Sequence, residues 1–127
     1  MILVFGGAYQ GKLGYAREKF KADKIYDCRK AAQEGALPDF DADVICGLDA
    51  FVAQCERKGV EASDWFRERR DLWQDKVLIM EDQSQGVVPI DEHLRAAREM
   101  NGRLMIYLAG EADQVHRVFC SIGKRIK

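Results

Sequence analysis

Apolar residues in this chain fall alternately into short unbroken runs and into stripes at helical spacing. Ile2 to Phe5 is a run closed by Gly6 and Gly7, which predicts a strand buried on both faces. Lys12 to Lys21 places Leu13, Ala16 and Phe20 on one stripe and predicts a helix. Lys24 to Tyr26 reads as a short second strand. Asp27 to Phe40 is polar, carries Gly35 and Pro38, and reads as a short helix plus loop. Asp43 to Cys46 is a third strand. Leu48 to Lys58 is helical through Phe51, Val52 and Cys55, and Gly59 stops it. Ser63 is placed to cap a helix from Asp64 to Trp73. Lys76 to Met80 is the next strand and Asp82 to Pro89 a loop. Asp91 to Glu111 reads as one long helix with a possible interruption at Gly102, its apolar face drawn from Leu94, Ala97, Leu104 and Leu108. Gln114 to Phe119 is the last strand, followed by a basic tail of Lys124, Arg125 and Lys127. Short buried strands alternating with amphipathic helices predict an α/β fold around a mainly parallel sheet.

Length and composition narrow the picture. A chain of 127 residues with 47% hydrophobic and 32% charged residues suits one domain over residues 1–127. A net charge of −1 offers no basic field for nucleic acid, and no apolar stretch reaches membrane-spanning length. MILVFGG lacks the charged flank of a signal peptide, so a cytoplasmic protein is expected. Cys28, Cys46, Cys55 and Cys120 form no CxxC pair and read as reduced, mostly buried thiols. There is no threonine, and only Ser63, Ser84 and Ser121 carry an aliphatic hydroxyl. Hydroxyl nucleophiles and hydroxyl metal ligands are therefore scarce.

The segment richest in chemistry is Gly6-Gly7-Ala8-Tyr9-Gln10-Gly11-Lys12-Leu13. It matches GxxxxGK[ST] at seven positions and fails at the eighth. Small residues let backbone N–H groups curl around a phosphate, the following helix adds its dipole, and Lys12 supplies a cation. The final serine or threonine would hold Mg²⁺, and Leu13 cannot. A plain strand–turn–helix corner is the competing reading. Because the loop follows a buried strand and opens a helix, it is taken as a phosphate-binding loop formed by Gly6, Gly7, Ala8, Tyr9, Gln10, Gly11, Lys12 and Leu13.

The remaining candidates are weaker. Glu81-Asp82 ends the VLIM strand in the manner of a Walker B segment, so Asp82 is either beside nucleotide or a solvated loop acid. His93 reads as a surface histidine and His116, in alternation with Gln114 and Val118, as structural. The two histidines and four cysteines show no metal-site spacing. Trp65, Arg69 and Trp73 recur on one helical face, which suits core packing under snorkelling arginines or an oligomer contact. Tyr9 can stack on a base or plug the loop.

Gly86-Val87-Val88-Pro89, then Arg95, Arg98, Gly102-Arg103, Ala109, Ala112-Asp113 and Val115, with Ile126-Lys127 at the end, complete a pattern. Together with the MILVFGGAYQGK opening, it resembles the adenosylcobinamide kinase/adenosylcobinamide-phosphate guanylyltransferase family of cobalamin biosynthesis. The likeness covers roughly the first 20 and last 50 residues. It implies a P-loop NTPase-like, RecA-like three-layer sandwich, ATP or GTP as ligand, a corrinoid substrate and a homo-oligomer, a trimer in that family. The departures all remove chemistry. Leu13 replaces the Mg²⁺-binding hydroxyl, and Cys46 falls where the family's strand-end aspartate belongs, with Asp49 three residues later. No histidine lies between Tyr26 and Val44, where the family carries its guanylyl acceptor. Met105-Ile106 and Glu81-Asp82 replace two further family pairs. The expectation is a nucleotide- or phosphate-binding protein without guanylyl transfer. Lys12, Asp49 and Asp82 are the candidates for residual kinase chemistry, and Mg²⁺ is left open. The alternative is a non-catalytic relative acting as an oligomeric scaffold or a regulatory module.

Overall fold

The computed structural model describes residues 1–31, 37–84 and 86–127. Its elements run β1 (Ile2–Gly6), α1 (Lys12–Phe20), β2 (Ile25–Asp27), β3 (Val44–Cys46), α2 (Leu48–Arg57), α3 (Ala62–Arg67), α4 (Arg70–Trp73), β4 (Val77–Glu81), α5 (Glu92–Glu111), β5 (Gln114–Phe119) and β6 (Ile122–Arg125). The strands form one sheet in the order β2-β3-β4-β1-β5-β6. All pairs are parallel except β5 with β6.

The period of two along each strand explains the layers. Leu3, Ile45, Leu78 and Met80 face a core completed by Leu48, Phe51, Phe66, Trp73, Leu104 and Leu108 from the helices α2 to α5. Their neighbours Val4, Val44, Ile79 and Val118 face the other way, onto Ala16 of α1. Helices thus cover both faces, an α/β architecture compatible with a three-layer sandwich. The chain leaves β1 in one direction along the sheet to reach β2, and returns in the other through β3 and β4 to β5. Parallel crossovers are right-handed, so that reversal moves the helices to the opposite face. It also leaves β1 in the middle, with the loop at its carboxyl end facing the ends of β3 and β4.

Several expectations needed revision. The helix expected from Asp64 to Trp73 is two helices, broken where Arg69 leaves helical geometry at φ −120°, ψ 26°. The break lets Trp73 fold under Phe66, whose carbonyl accepts from Trp73 Nε1 at 2.8 Å. Burying two large aromatics outweighs continuity of the helix. Ser63 is not the cap: the helix opens at Ala62 after Glu61, and Ser63 is buried inside its first turn. Gly102 does not interrupt α5, which runs for 20 residues from an Asp91 cap on the Leu94 amide. Leu94 stands outside rather than on the core face. Part of the short helix expected between Asp27 and Phe40 lies outside the described residues; residues 28–31 form a turn. The basic tail contains β6, joined to β5 by Cys120 and Ser121, both at positive φ (50° and 63°). That is the geometry of a type I′ hairpin, which a Cys-Ser pair does not advertise. Cys28, Cys46 and Cys55 are buried, and Cys120 is exposed.

His116 is structural, as its alternation suggests. It is 2% exposed and faces α1. Gln114 Oε1 can only accept, so Nε2 donates to it at 2.9 Å and Nδ1 accepts from the Tyr15 hydroxyl at 2.8 Å. Burial, reinforced by Lys19 and Arg125, pushes its pKa below the ordinary histidine value. The unfolded chain therefore binds the proton first as pH falls. The stability His116 contributes is complete above about pH 6.5 and is lost as pH drops toward the lower folded value. His93 works in the opposite sense, because its hydrogen bond to Glu56 raises its pKa. Its contribution is complete below about pH 6.5 and fades above. In a His93→Gln background the urea midpoint should fall between pH 7.5 and 5.5, and adding His116→Gln should flatten that fall. A midpoint independent of pH in the first variant would contradict this assignment.

Candidate functional site

The glycine loop is held at three points. Gly6 closes β1, and its carbonyl accepts from the Asp82 amide at 2.8 Å. A Cβ at Gly6 would clash with the Val118 carbonyl oxygen, so the close approach of β1 to β5 requires glycine there. The β5–β6 turn grips the far side of the loop: Ser121 donates its amide to the Gln10 carbonyl at 2.8 Å, and Cys120 donates to Gln10 Oε1 at 2.6 Å. Gly11 caps α1 at φ 86°, and no side chain caps that helix. Lys12 turns back across the loop and donates from Nζ to the Gly7 carbonyl at 2.6 Å. Leu13 packs against the core on the α1 face. Tyr9 is fully exposed at φ 59°, so it does not plug the loop.

Charged groups from the carboxyl end of the sheet gather around Lys12. Burial lowers its pKa from the usual lysine value, Glu81 opposes that shift, Arg29 adds to it, and Asp49 opposes it again. Arg29, just beyond β2, joins two acids. Its Nε and Nη2 donate to the two Asp49 oxygens at 3.3 and 2.8 Å, and Nη2 donates to Glu81 Oε2 at 2.7 Å. Burial pulls the guanidinium pKa down, but the Asp49 hydrogen bond and the charges of Asp49, Glu81 and Asp27 outweigh it and raise the value. The backbone permits this because Gly47, at φ 69°, has no Cβ; one would lie 2.9 Å from the Arg29 amide nitrogen. Asp82 is engaged elsewhere, its Oδ1 accepting from the Ser84 amide at 2.9 Å and from the Ser84 hydroxyl at 2.6 Å.

The structure thus brings Lys12 and Asp49 into one cluster, with Glu81 rather than Asp82 as the acid from β4. Arg29 belongs to no sequence motif. The rule that sites in parallel sheets form beyond the strand carboxyl ends points to it, because Asp27-Cys28-Arg29 follows a strand on the same edge. Divalent metal does not fit the residues present. Leu13 has no hydroxyl, and Cys46 offers a soft thiol, ill matched to a hard cation such as Mg²⁺. Asp49 and Glu81 are bridged by Arg29, and Asp82 by Ser84. Among the described residues no three His, Cys, Asp or Glu side chains are placed to share an ion.

One cavity adjoins the cluster and a second lies beyond Asp82. A cleft of about 570 Å³ runs beside Gly7, Ala8, Asp49, Glu81, Asp82 and Arg98. An apolar cavity of about 630 Å³ lies between α5 and the sheet, lined by Leu3, Phe5, Met105, Ile106, Val115 and Ile126. Asp82 and Arg98 border both. No helix is long and apolar enough to cross a membrane among the described residues. These features define the class: an α/β domain with a charged, glycine-loop cleft at the carboxyl end of a largely parallel sheet. No protein-family model matches the chain, and no curated protein is significantly similar to it in sequence.

Proposed function

We propose that the chain binds the phosphate groups of a nucleotide, ATP or GTP, at the loop from Gly6 to Leu13 and does not carry out guanylyl transfer. On this reading it is a P-loop, RecA-like domain, a degenerate relative of the cobinamide kinase/guanylyltransferase family. The observation that carries the reading is Lys12. Its ammonium is drawn back over a glycine loop at the end of the central parallel strand, above an uncapped helix N-terminus, where an anion would replace the Gly7 carbonyl as its partner. A corrinoid as second ligand rests on the resemblance alone. Calorimetric titration with ATP and GTP, each with and without Mg²⁺, tests the proposal: saturable binding of one of them is expected, and no heat from either in both media removes it.

A second reading is a scaffold or interaction module without turnover that assembles with further copies of itself. It is favoured by the apolar cavity, whose lining residues Val88, Ile106 and Ile126 are each more than half exposed. Light scattering behind size exclusion checks it, with a trimer or other oligomer expected and a monomer at micromolar concentration counting against it.

A further inference from the structure

We infer that Arg29 is a built-in cation standing in place of a divalent metal ion, so that the loop takes phosphate ligands free of metal. The inference rests on phosphate binding at the loop and says which form of the ligand binds. Asp49 and Glu81 come from different elements, the start of α2 and the end of β4, and converge as two carboxylates converge on a hard cation. What lies between them is the Arg29 guanidinium. Their side chains are only 18% and 17% exposed, against 51% for Arg29, so the guanidinium covers them from solvent.

The position is constructed rather than incidental. Asp27 Oδ1 accepts from the Arg29 amide at 3.0 Å, and Gly47 leaves the space that the segment occupies. A guanidinium has five N–H groups and keeps its charge at any physiological pH. Three of those groups serve Asp49 and Glu81; among the described residues Nη1 has no partner. A metal ion entering between the carboxylates would have to expel a group that cannot neutralise itself. Lys12 and Arg29 offset the charges of Asp49 and Glu81, with Asp27 adding a third acid beside them. Without Arg29 the cluster becomes more negative by one charge and repels a phosphate at the loop more strongly.

Two measurements test this. Pyrophosphate is titrated calorimetrically in EDTA and in excess Mg²⁺, and free Mn²⁺ is followed by paramagnetic resonance in protein without pyrophosphate. The wild type should bind pyrophosphate at least as tightly in EDTA and leave the Mn²⁺ signal undiminished. Arg29→Met should weaken pyrophosphate binding in EDTA by about tenfold or more, and should take up Mn²⁺ saturably. Arg29→Lys, which keeps the charge, should retain most of the affinity. Pyrophosphate binding that requires Mg²⁺, saturable Mn²⁺ uptake by the wild type, or a folded Arg29→Met protein that gains no Mn²⁺ would each overturn the inference. Should the wild type bind no pyrophosphate in either medium, the phosphate-binding reading fails, and the Mn²⁺ arm still decides whether Arg29 occupies a metal's place. Should Arg29→Met not fold, the wild-type comparisons and Arg29→Lys decide it.

Discussion

Trp73→Ala is expected to lower the free energy of unfolding by about 3–5 kcal/mol, a large share of the roughly 5–15 kcal/mol that holds a domain folded. Trp73 is 1% exposed and packs against Phe66 and Tyr107, with ring centroids 5.8 and 6.2 Å away. Removing it opens a cavity the size of an indole. It also removes a buried donor from the Phe66 carbonyl. The break between α3 and α4 exists to seat this ring, so the cavity cannot collapse without disturbing the segment that leads into β4. For a chain of this length the loss amounts to a drop of about 10–20 °C in melting temperature. Trp73→Phe should fall between, since it keeps much of the volume and loses the indole N–H and part of the fused ring. Urea unfolding followed by far-ultraviolet circular dichroism gives the values. A loss under about 1 kcal/mol for Trp73→Ala would mean that the ring is not part of the cooperative core.

Lys12→Met is expected to weaken nucleotide or pyrophosphate binding by about 10–100-fold, the worth of one or two charge-assisted hydrogen bonds. Methionine keeps most of the apolar stem and removes the ammonium. The loop itself should survive, because it is anchored by Gln10 on the β5–β6 turn and by Gly6 on Asp82, neither of which involves Lys12. Folding stability should stay within about 1 kcal/mol of wild type or rise slightly, since a partly desolvated charge is removed. Calorimetric titration paired with a thermal melt separates the two quantities. Unchanged affinity in a folded variant would place the ligand elsewhere, with the apolar cavity beneath α5 the next location to probe.

Both variants bear on how the chain encodes its structure. The Trp73 core was only half legible. The spacing of Trp65, Arg69 and Trp73 marks an amphipathic helical segment, and the structure keeps the three residues packed within the chain. Arg69 lies over the Trp65 ring at 4.2 Å, and Trp73 is buried beneath. The break at Arg69 has no glycine or proline to announce it. It arises because Trp73, four residues beyond the break, folds back to bond the Phe66 carbonyl, a packing event that residue propensities do not encode. The strand–loop–helix frame around Lys12 was legible, because each of its requirements is local: a buried strand, small residues, a helix start and a lysine one position inside it.

The charged cluster behind the loop was legible only in fragments. Asp49 and Glu81-Asp82 stood out because each sits beside an apolar strand, and parallel strands end on one side of the sheet. Which acid faces Lys12 depends on strand register. Gly6 pairs with Glu81, and the Asp82 amide is drawn to the Gly6 carbonyl, which leaves the Asp82 carboxylate to Ser84. Arg29 was invisible because it is one of many surface-like arginines in sequence. Only the pairing of Asp27 with Cys46, two strands away from the loop, carries it to Asp49 and Glu81.

The sequence alone therefore determined the α/β alternation around a mainly parallel sheet, the long C-terminal helix and the loop with its lysine. All of these rest on periodicity and on residues within a turn of one another. The tertiary structure decided the order of the strands, the β5–β6 hairpin that pins Gln10, the neutral buried His116, and the guanidinium set between two acids. Each of those joins residues far apart in the chain, at distances set by sheet register and burial, which no local pattern encodes.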